Sequence, residues 1–151
     1  MLKTATSAHI PAIMEVRLAV RENRLSNPDL VTAADCEDHI HHRGRGWIYE
    51  VGGQLAGFAI VDLVDHNVWA LFLHPDHEGK GIGKILHHAM IDWYFEQTEE
   101  KIWLGTAPGT RAEGFYRKFG WTDLGTRANG EVYFEMTAAG WKNQQTKNTR
   151  S

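Results

Sequence analysis

Three glycines alternate with other residues in the stretch HPDHEGKGIGK, and two lysines stand among them. The glycines are Gly79, Gly81 and Gly83, and the lysines are Lys80 and Lys84. A backbone without Cβ atoms lets an anion approach its N–H groups closely, and the amphipathic pattern that follows predicts a helix whose N-terminal dipole favours negative charge. The lysines add positive charge at the same place. The stretch therefore predicts a phosphate-binding loop at the start of a helix.

Two common phosphate loops do not fit this spacing. A P-loop, G-x-x-x-x-G-K-[ST], would need glycine at Glu78 and a hydroxyl at Ile85. A dinucleotide fingerprint, G-x-G-x-x-G, would need its third glycine at Lys84. A plain turn before a helix remains an alternative, although such a turn needs one glycine rather than three alternating ones.

Two segments of the chain resemble the GNAT family of N-acetyltransferases. The first, LFLHPDHEGKGIGKIL, is similar to the family's acetyl-CoA signature, in which a strand ends near a proline and Gln/Arg-x-x-Gly-x-Gly/Ala leads into a helix. The second, TAPGTRAEGFYRKFGW, resembles the family's strand–helix segment that ends Phe-Tyr-x-x-x-Gly-aromatic. Both segments stand in the family's order and spacing, and the order of elements over nearly the whole chain is similar to its fold.

The resemblance implies a place for coenzyme A, with acetyl-CoA as the co-substrate. Its pantetheine arm would pair with the backbone of Leu71, Phe72 and Leu73, and its pyrophosphate would sit on a run of backbone amides. That run comprises Gly79, Lys80, Gly81, Ile82, Gly83 and Lys84. Glu78 departs from the Gln or Arg that is usual in the family. A carboxylate repels a pyrophosphate, so we expect Glu78 to point away or to contact one of the two lysines.

Acetyl transfer from a thioester to an amine needs a neutral amine, a donor for the oxyanion and an acid for the departing thiolate. The resemblance implies that Tyr116 contacts the coenzyme and is this acid, whereas its spacing alone is typical of a core residue. A backbone N–H near Phe72 or Leu73 could stabilise the oxyanion. The base stays open between Glu22, our first choice at the end of the first predicted helix, Glu135 in the last strand, and a water chain.

The elements that position these residues follow the order βααβββαβαββ, which predicts an α/β sandwich around one mixed sheet. The GNAT resemblance implies that this sheet is splayed. Ser7 and Pro11 predict the start of the first helix, and Thr32 with Asp35 predicts a capping box on the second. The helix after the glycines has a predicted apolar face of Ile82, Ile85, Leu86, Ala89, Met90 and Trp93.

The predicted domain organisation is simple. Residues 1–140 are expected to form one N-acetyltransferase domain, and residues 141–151 a polar, loose tail. Gly120 is expected to end the helix that carries Tyr116, and Asn129-Gly130 predicts a turn between the last two strands.

Composition and charge narrow the function classes. The chain has 151 residues, a net charge of −3 and no long run of one sign, which argues against a nucleic-acid or membrane-surface binder. Its single cysteine forms no internal disulfide, and no apolar run reaches the ~18–20 residues of a membrane span, so we expect a soluble, cytoplasmic protein. The histidines at 39–42 and 87–88 lack the pattern of a metal site, and we expect them on solvated helix faces.

These observations predict an acetyl-CoA-dependent N-acetyltransferase that moves an acetyl group to a primary amine by direct attack, through a tetrahedral intermediate. The main alternative is a non-catalytic acyl-CoA-binding sensor, which would bind the coenzyme without turnover. The acceptor is expected to be a small-molecule or peptide amine, in a pocket shaped by the segment RENRLSNPDLVT with Trp47 and Trp69. No metal, nucleic-acid or membrane partner is expected, and a homodimer is one option because dimers are common in the fold that the chain resembles.

Overall fold

The computed structural model describes residues 1–19 and 32–150, with side chains as far as residue 144. The chain forms two compact units, Met1–Tyr94 and Phe95–Ser151. The order of elements along the chain is βααβββαβαββ followed by one further helix, which confirms the predicted α/β class. The prediction that residues 1–140 form one domain stays a prediction. No helix in the described part of the chain is long and apolar enough to cross a membrane.

Four strands form an antiparallel sheet in the first unit. They are β1 (Leu2–Thr4), β2 (Gly44–Val51), β3 (Gln54–Asp62) and β4 (Asn67–Leu73), and each pairs with the next. Gly52 and Gly53 join β2 to β3 with φ values of +57° and +80°. Two consecutive positive φ values are what a tight hairpin turn that follows the strand twist requires.

β4 carries a β-bulge at Trp69. Ile60 pairs with Ala70 and Val61 pairs with Val68, so Trp69 is the extra residue on its strand. A bulge bends the strand and re-aims the side chains beside it. Trp69 therefore packs against the same apolar cluster that contains Ala70, although strict alternation would place the two side chains on opposite faces.

Up to Gln97 the described residues form three α-helices: α1 (Ile10–Ala19), α2 (Ala33–Asp38) and α3 (Ile82–Gln97). The predicted N-cap at Ser7 is wrong, because a 3-10 turn over Ser7–His9 precedes α1. Ser7 instead donates a hydrogen bond from Oγ to Glu37 Oε1 on α2, at 2.8 Å. The predicted end of the first helix, near Arg24, lies outside the described residues.

The capping box predicted for α2 is confirmed. Thr32 Oγ1 accepts from the Asp35 amide at 3.2 Å, and Asp35 Oδ2 accepts from the Thr32 amide at 2.9 Å. Each side chain thus satisfies a donor that the first helical turn leaves without an intrahelical acceptor. A π-helical turn, His39–Arg43, connects α2 to β2.

The predicted apolar face of α3 is confirmed at Ile82, Leu86 and Met90, but the buried stripe is shifted at other positions. Its buried residues are Ile82, Gly83, Leu86, His87, Met90, Ile91 and Tyr94. Ile85, predicted to be inside, is 41% exposed. The prediction of a solvated face is wrong for His87. Gly83, His87 and Ile91 are four residues apart and so lie on the same side of the helix, and that side is buried.

The described part of the second unit contains three strands and two complete helices, one of which carries Tyr116. The strands are β5 (Ile102–Thr106), β6 (Thr122–Thr126) and β7 (Val132–Met136), and the helices are α4 (Arg111–Lys118) and α5 (Ala138–Arg150). β7 pairs antiparallel with both β5 and β6. The predicted turn is present between β6 and β7, where Gly130 has φ +87°.

A helix, α5, occupies the segment predicted to be a loose tail. Thr137 Oγ1 accepts from the Gly140 amide at 3.0 Å at the start of this helix, and Trp141 is buried. The polar composition of residues 141–151 suggested a loose tail. One buried aromatic ring and one capping hydroxyl favour the helix instead.

A buried carboxylate holds the end of β3. Asp62, 1% exposed, accepts from Arg43 Nε and Nη2 at 3.1 and 2.9 Å, and from the amides of Val64 and Asp65 at 2.7 and 3.1 Å. Burial acts to raise the pKa of Asp62, but the amide donors and Arg43 outweigh it and hold the pKa below its ordinary value.

Removing the charge of Asp62 is expected to be destabilising. Asp62→Asn should lower the free energy of unfolding by about 1–3 kcal/mol, because the buried side chain loses the charge that accepts from Arg43 and from two backbone amides. The matched change Asp65→Asn removes an exposed partner of the same Arg43, 2.9 Å away, and should cost less than about 1 kcal/mol. Urea denaturation of both variants measures the difference, and equal losses would contradict this account of the β3 end.

Candidate active site

The glycine loop connects β4 to α3 through a short capped turn. His74 caps the 3-10 turn Pro75–His77 by accepting from the Asp76 amide at Nδ1, at 3.1 Å. Beyond it, Gly79 and Gly81 have φ values of +78° and +80°. A Cβ at either glycine would meet no atom within 4 Å. The left-handed backbone, and not crowding, therefore requires glycine here, and the space beside the loop is open.

The backbone amides at the start of α3 are available for a ligand. The first bond of the helix runs from the Ile85 amide to the Gly81 carbonyl, at 3.3 Å. The amides of Ile82, Gly83 and Lys84 come before it, and such amides have no acceptor within their own helix. The helix dipole adds positive potential at the same end. This donor set fits an anion such as a pyrophosphate.

The two lysines of the loop differ in their surroundings. Lys84 is exposed, whereas Lys80 Nζ lies 3.3 Å from Nδ1 of the buried His77. His77 Nε2 lies 3.2 Å from Gln54 Oε1 on β3. Because an ammonium can only donate, His77 Nδ1 accepts from Lys80, and the protonated Nε2 donates a hydrogen bond to Gln54 Oε1. Lys80 is therefore anchored beside the loop by a buried side chain, and Glu78 is exposed next to it.

The strand segment predicted to pair with pantetheine is the last part of β4. Leu71, Phe72 and Leu73 stand opposite Ala59, Phe58 and Gly57 of β3. The backbone groups of an antiparallel strand point alternately to its two edges, so one set is used by β3. Pairing of the other set with a ligand stays a prediction.

α4 has well-defined ends on both sides of Tyr116. Thr110 caps its start, accepting from the Glu113 amide at 3.3 Å and donating from Oγ1 to the Ala107 carbonyl at 2.8 Å. At its end Gly120 has φ +83°, as predicted for a C-terminal glycine. The Trp121 amide donates to the Tyr116 carbonyl at 3.1 Å, which completes a Schellman motif. The backbone of Tyr116 is therefore fixed.

The ring of Tyr116 is buried among aromatic residues of its own unit. It is 5% exposed, and its centroid lies 5.4 Å from those of Phe115 and Trp121 and 6.1 Å from that of Phe134. Burial raises the pKa of Tyr116 well above its ordinary value. The hydroxyl thus keeps its proton at neutral pH, as a general acid must, and the acid role itself stays a prediction.

The two carboxylates considered as the base have different outcomes. Glu22 lies outside the described residues, and its role stays a prediction. Glu135 on β7 has Oε2 3.6 Å from Lys101 Nζ, so its charge is paired within its own unit. Over residues 1–19 and 32–144, no group of three or more His, Cys, Asp or Glu could hold a metal ion.

A cavity beside α1 was missed by the sequence reasoning. It is lined by Ile13, Arg17, Cys36, Phe58, Trp69 and Ala70, and we call it the Arg17 cavity. The available signal was Arg17 itself, four residues after the buried Ile13 and therefore on the inward side of an otherwise apolar helix face. Of the two tryptophans expected at the acceptor, Trp69 lines this cavity. Trp47 packs edge-on against Trp93, with ring centroids 5.6 Å apart.

Comparisons with known proteins concern the family and the fold of the chain. A family model described as the acetyltransferase (GNAT) family matches residues 12–121. No curated protein sequence matches the chain. Among solved structures, the ribosomal-protein-S18-alanine N-acetyltransferase of Escherichia coli is 17% identical with a TM-score of 0.69, and the match covers 90% of each chain.

Two further solved structures were determined with a coenzyme. The PaiA N-acetyltransferase of Thermoplasma acidophilum, in complex with coenzyme A, is 15% identical with a TM-score of 0.77 over 91% of this chain and 98% of that one. YncA of Salmonella typhimurium, a putative acetyltransferase with acetyl-CoA, is 18% identical with a TM-score of 0.72 over 91% and 92%. At these identities the likeness is one of fold.

Proposed function

The chain belongs to the acetyltransferase (GNAT) family, and we therefore propose that it is an N-acetyltransferase that uses acetyl-CoA to acetylate a primary amine. The observation that carries the proposal is the loop in which Gly79 and Gly81 hold left-handed φ values beside open space, directly before the free amides of α3. Such a loop suits the pyrophosphate of the coenzyme. The coenzymes present in two structural neighbours support the same assignment.

In this proposal the residues of the first unit bind and orient the thioester. The amides from Gly79 to Lys84 hold the pyrophosphate, and the backbone of Leu71, Phe72 and Leu73 pairs with the pantetheine arm. A backbone N–H near Phe72 or Leu73 donates to the oxyanion of the tetrahedral intermediate, where a fixed dipole stabilises developing charge more than water does. The amine attacks the thioester carbonyl directly, so no covalent acyl-enzyme forms.

Proton transfer completes the proposed reaction. A lysine-like ammonium has a pKa of about 10.4, so the acceptor must lose a proton before it attacks. Glu22 is our proposed base, with a water chain to solvent as the alternative. Tyr116 is the proposed acid, because it matches the family's tyrosine in the second motif and holds its hydroxyl proton at neutral pH.

Calorimetry with coenzyme A, followed by a thiol-release assay with acetyl-CoA, tests the proposal. The amine panel should contain amino acids, polyamines and a peptide with N-terminal alanine, the last because a structural neighbour modifies a ribosomal-protein alanine. We expect binding and turnover of at least one amine. Absence of coenzyme binding would refute the proposal, and binding without turnover of any amine would favour an acyl-CoA sensor.

Gly81→Ala is expected to weaken coenzyme binding at least tenfold. The new Cβ imposes strain of about 1–3 kcal/mol at φ +80° and occupies the open space through which an anion reaches the amides. Gly130→Ala is the matched control, because Gly130 has φ +87° and equally open surroundings on the β6–β7 hairpin. Both variants should lower the melting temperature, but only Gly81→Ala should change the calorimetric Kd. Equal Kd values for the two would remove the loop from the binding site.

A further inference from the structure

The Arg17 cavity has room for a small functional group of a ligand. Its volume is about 50 Å³. One water needs about 10–15 Å³ measured in this way, so the space suits a group of three or four heavy atoms. α1, α2, β3 and β4 each contribute to its lining, and β4 does so through the bulge at Trp69. The cavity therefore lies within the first unit and beside the strand that we assign to the thioester arm.

Arg17 brings a positive charge to this cavity, and the described residues offer it no carboxylate partner. Its Nε is buried and has no hydrogen-bond partner among the described residues, and its guanidinium forms no ion pair with a carboxylate in residues 1–19 or 32–144. Its Cζ lies 4.6 Å from the ring centroid of Phe72, which holds the guanidinium by a cation–π contact. Cys36 does not neutralise it, because burial raises the pKa of that thiol. A half-buried cation with one unsatisfied donor is stabilised when an anion joins it.

The remaining walls are apolar and one of them is firmly held. Trp69 stacks on His39 with ring centroids 3.8 Å apart and an angle of 15° between the planes. His39 is itself placed by the Asp35 carbonyl, 2.8 Å from Nδ1, and by Asp62, 3.5 Å from Nε2. The described lining thus offers one strong donor group within apolar walls, which suits a singly charged carboxylate on a hydrocarbon stem better than a phosphate dianion.

We propose that the Arg17 cavity binds the carboxylate of the acceptor, so that the protein acts on amines that carry a carboxylate and an apolar body, such as hydrophobic α-amino acids. This inference rests on the proposed acetyltransferase function. One carbon separates the carboxylate from the amine in an α-amino acid. Anchoring the carboxylate beside Phe72 therefore also keeps the amine near the strand segment assigned to the thioester.

Matched acceptors test the subsite with acetyl-CoA as donor. L-phenylalanine, L-phenylalaninamide and 2-phenylethylamine share one apolar body, and only the first carries a carboxylate; the leucine series repeats the design. The wild type should prefer the carboxylate over the amide at least tenfold in kcat/KM. Arg17→Gln should abolish that preference, while its kcat/KM for L-phenylalaninamide and 2-phenylethylamine, which lack a carboxylate, should change less than about threefold. Arg17→Lys should retain part of the preference.

Arg45→Gln is the control for loss of an arginine stacked on aromatic rings. Arg45 Cζ lies 5.8 Å from the ring centroid of Trp47 and 5.7 Å from that of Trp93, and it does not line the cavity. This variant should keep the carboxylate preference. Circular dichroism and calorimetric binding of coenzyme A are measured on every variant, so that a folding defect is separated from loss of the subsite. If Arg17→Gln does not fold, the test compares the carboxylate preference in kcat/KM of Arg17→Lys with that of the wild type, and an equal preference would overturn the subsite.

The outcomes separate this inference from the proposed function. Coenzyme binding and turnover with equal kcat/KM for carboxylate and amide would overturn the subsite and leave the acetyltransferase standing. If the coenzyme does not bind, or no amine turns over, calorimetry with N-acetyl-L-phenylalanine decides instead: binding that Arg17→Gln weakens tenfold supports the subsite, and equal or absent binding overturns it. A loss with Arg17→Gln that is confined to succinyl-CoA as donor would assign the cavity to the acyl group and overturn the acceptor assignment.

Discussion

Tyr116→Phe is expected to lower kcat for acetyl transfer about 100-fold and to change the Kd for coenzyme A less than about threefold. Phenylalanine keeps the ring that packs on Trp121 and Phe134, so the fold should be retained. Only the hydroxyl is lost. If Tyr116 donates to the departing thiolate, that loss acts on the transition state, where the negative charge on sulfur develops, and not on the binding of the coenzyme.

The size of this effect follows from acidity. A thiol has a pKa of about 8.5, whereas burial raises the pKa of Tyr116 above the ordinary value of about 10. Complete proton transfer from Tyr116 to a thiolate is therefore uphill in the resting protein. We expect the hydroxyl to act by donating a hydrogen bond as the charge forms, which places the loss at the lower end of the range of about 10²–10⁴ for general acids.

Tyr133→Phe is the matched control for this variant. Tyr133 lies in the same unit on β7. Its ring stacks on Trp103 with centroids 5.4 Å apart, and its hydroxyl accepts a long bond of 3.4 Å from Asn129 Nδ2. Its loss should leave kcat within about twofold. Steady-state kinetics of both variants with the best amine, with calorimetry for Kd, provides the comparison. Equal kcat values for Tyr116→Phe and wild type would exclude the acid role.

Local chemistry explains the features of the fold that the sequence predicted well. The capping box of α2 depends on two side chains three residues apart, Thr32 and Asp35. The end of α4 depends on Gly120, and the loop before α3 depends on Gly79 and Gly81, all with positive φ. Each of these features is specified within about six residues by a backbone conformation or a hydrogen bond, so the pattern of residue types is enough to predict it.

The Arg17 cavity depends on contacts between distant parts of the chain, and the sequence did not predict it. Its lining contains residues from four different elements: Arg17 of α1, Cys36 of α2, Phe58 of β3 and Trp69 of β4. Trp69 reaches it only because β4 gains one residue relative to β3, and a bulge has no signature in a single sequence. Strict alternation along a strand would place Trp69 and Ala70 on opposite faces, and the bulge overrides that alternation.

His87 shows the same limit and has a measurable consequence. Beside His88 in the sequence it resembles one of two solvated histidines, yet α3 turns it fully inward. Burial, with a smaller contribution from His88, lowers the pKa of His87 from 6.5 to about 3. A shift of this size corresponds to at most about 5 kcal/mol at 1.36 kcal/mol per pKa unit. Acid should therefore destabilise the fold through this one side chain.

The direction of the pH effect follows from proton binding. The unfolded chain binds a proton at His87 once the pH falls below about 6.5, whereas the folded protein keeps the ring neutral down to a pH of about 3. The stability that depends on a neutral His87 is thus fully present above pH 6.5, and this part of the free energy of unfolding is lost progressively as the pH falls toward 3. Between pH 7.5 and pH 5 the loss from this group should be about 2 kcal/mol in the free energy of unfolding.

Urea denaturation at pH 7.5 and pH 5 of the wild type, His87→Gln and His88→Gln measures this contribution. Glutamine keeps a donor and an acceptor but does not titrate, so His87→Gln should lower stability at pH 7.5 and lack about 2 kcal/mol of the wild-type loss on going to pH 5. His88→Gln, at the adjacent and more exposed position, should behave as the wild type does over this interval. Asp62, the buried carboxylate among the described residues, is present in all three proteins, so it does not contribute to the difference between them. An equal pH dependence in wild type and His87→Gln would mean that His87 accepts its proton in the folded state as readily as in the unfolded chain, which is incompatible with its burial in α3.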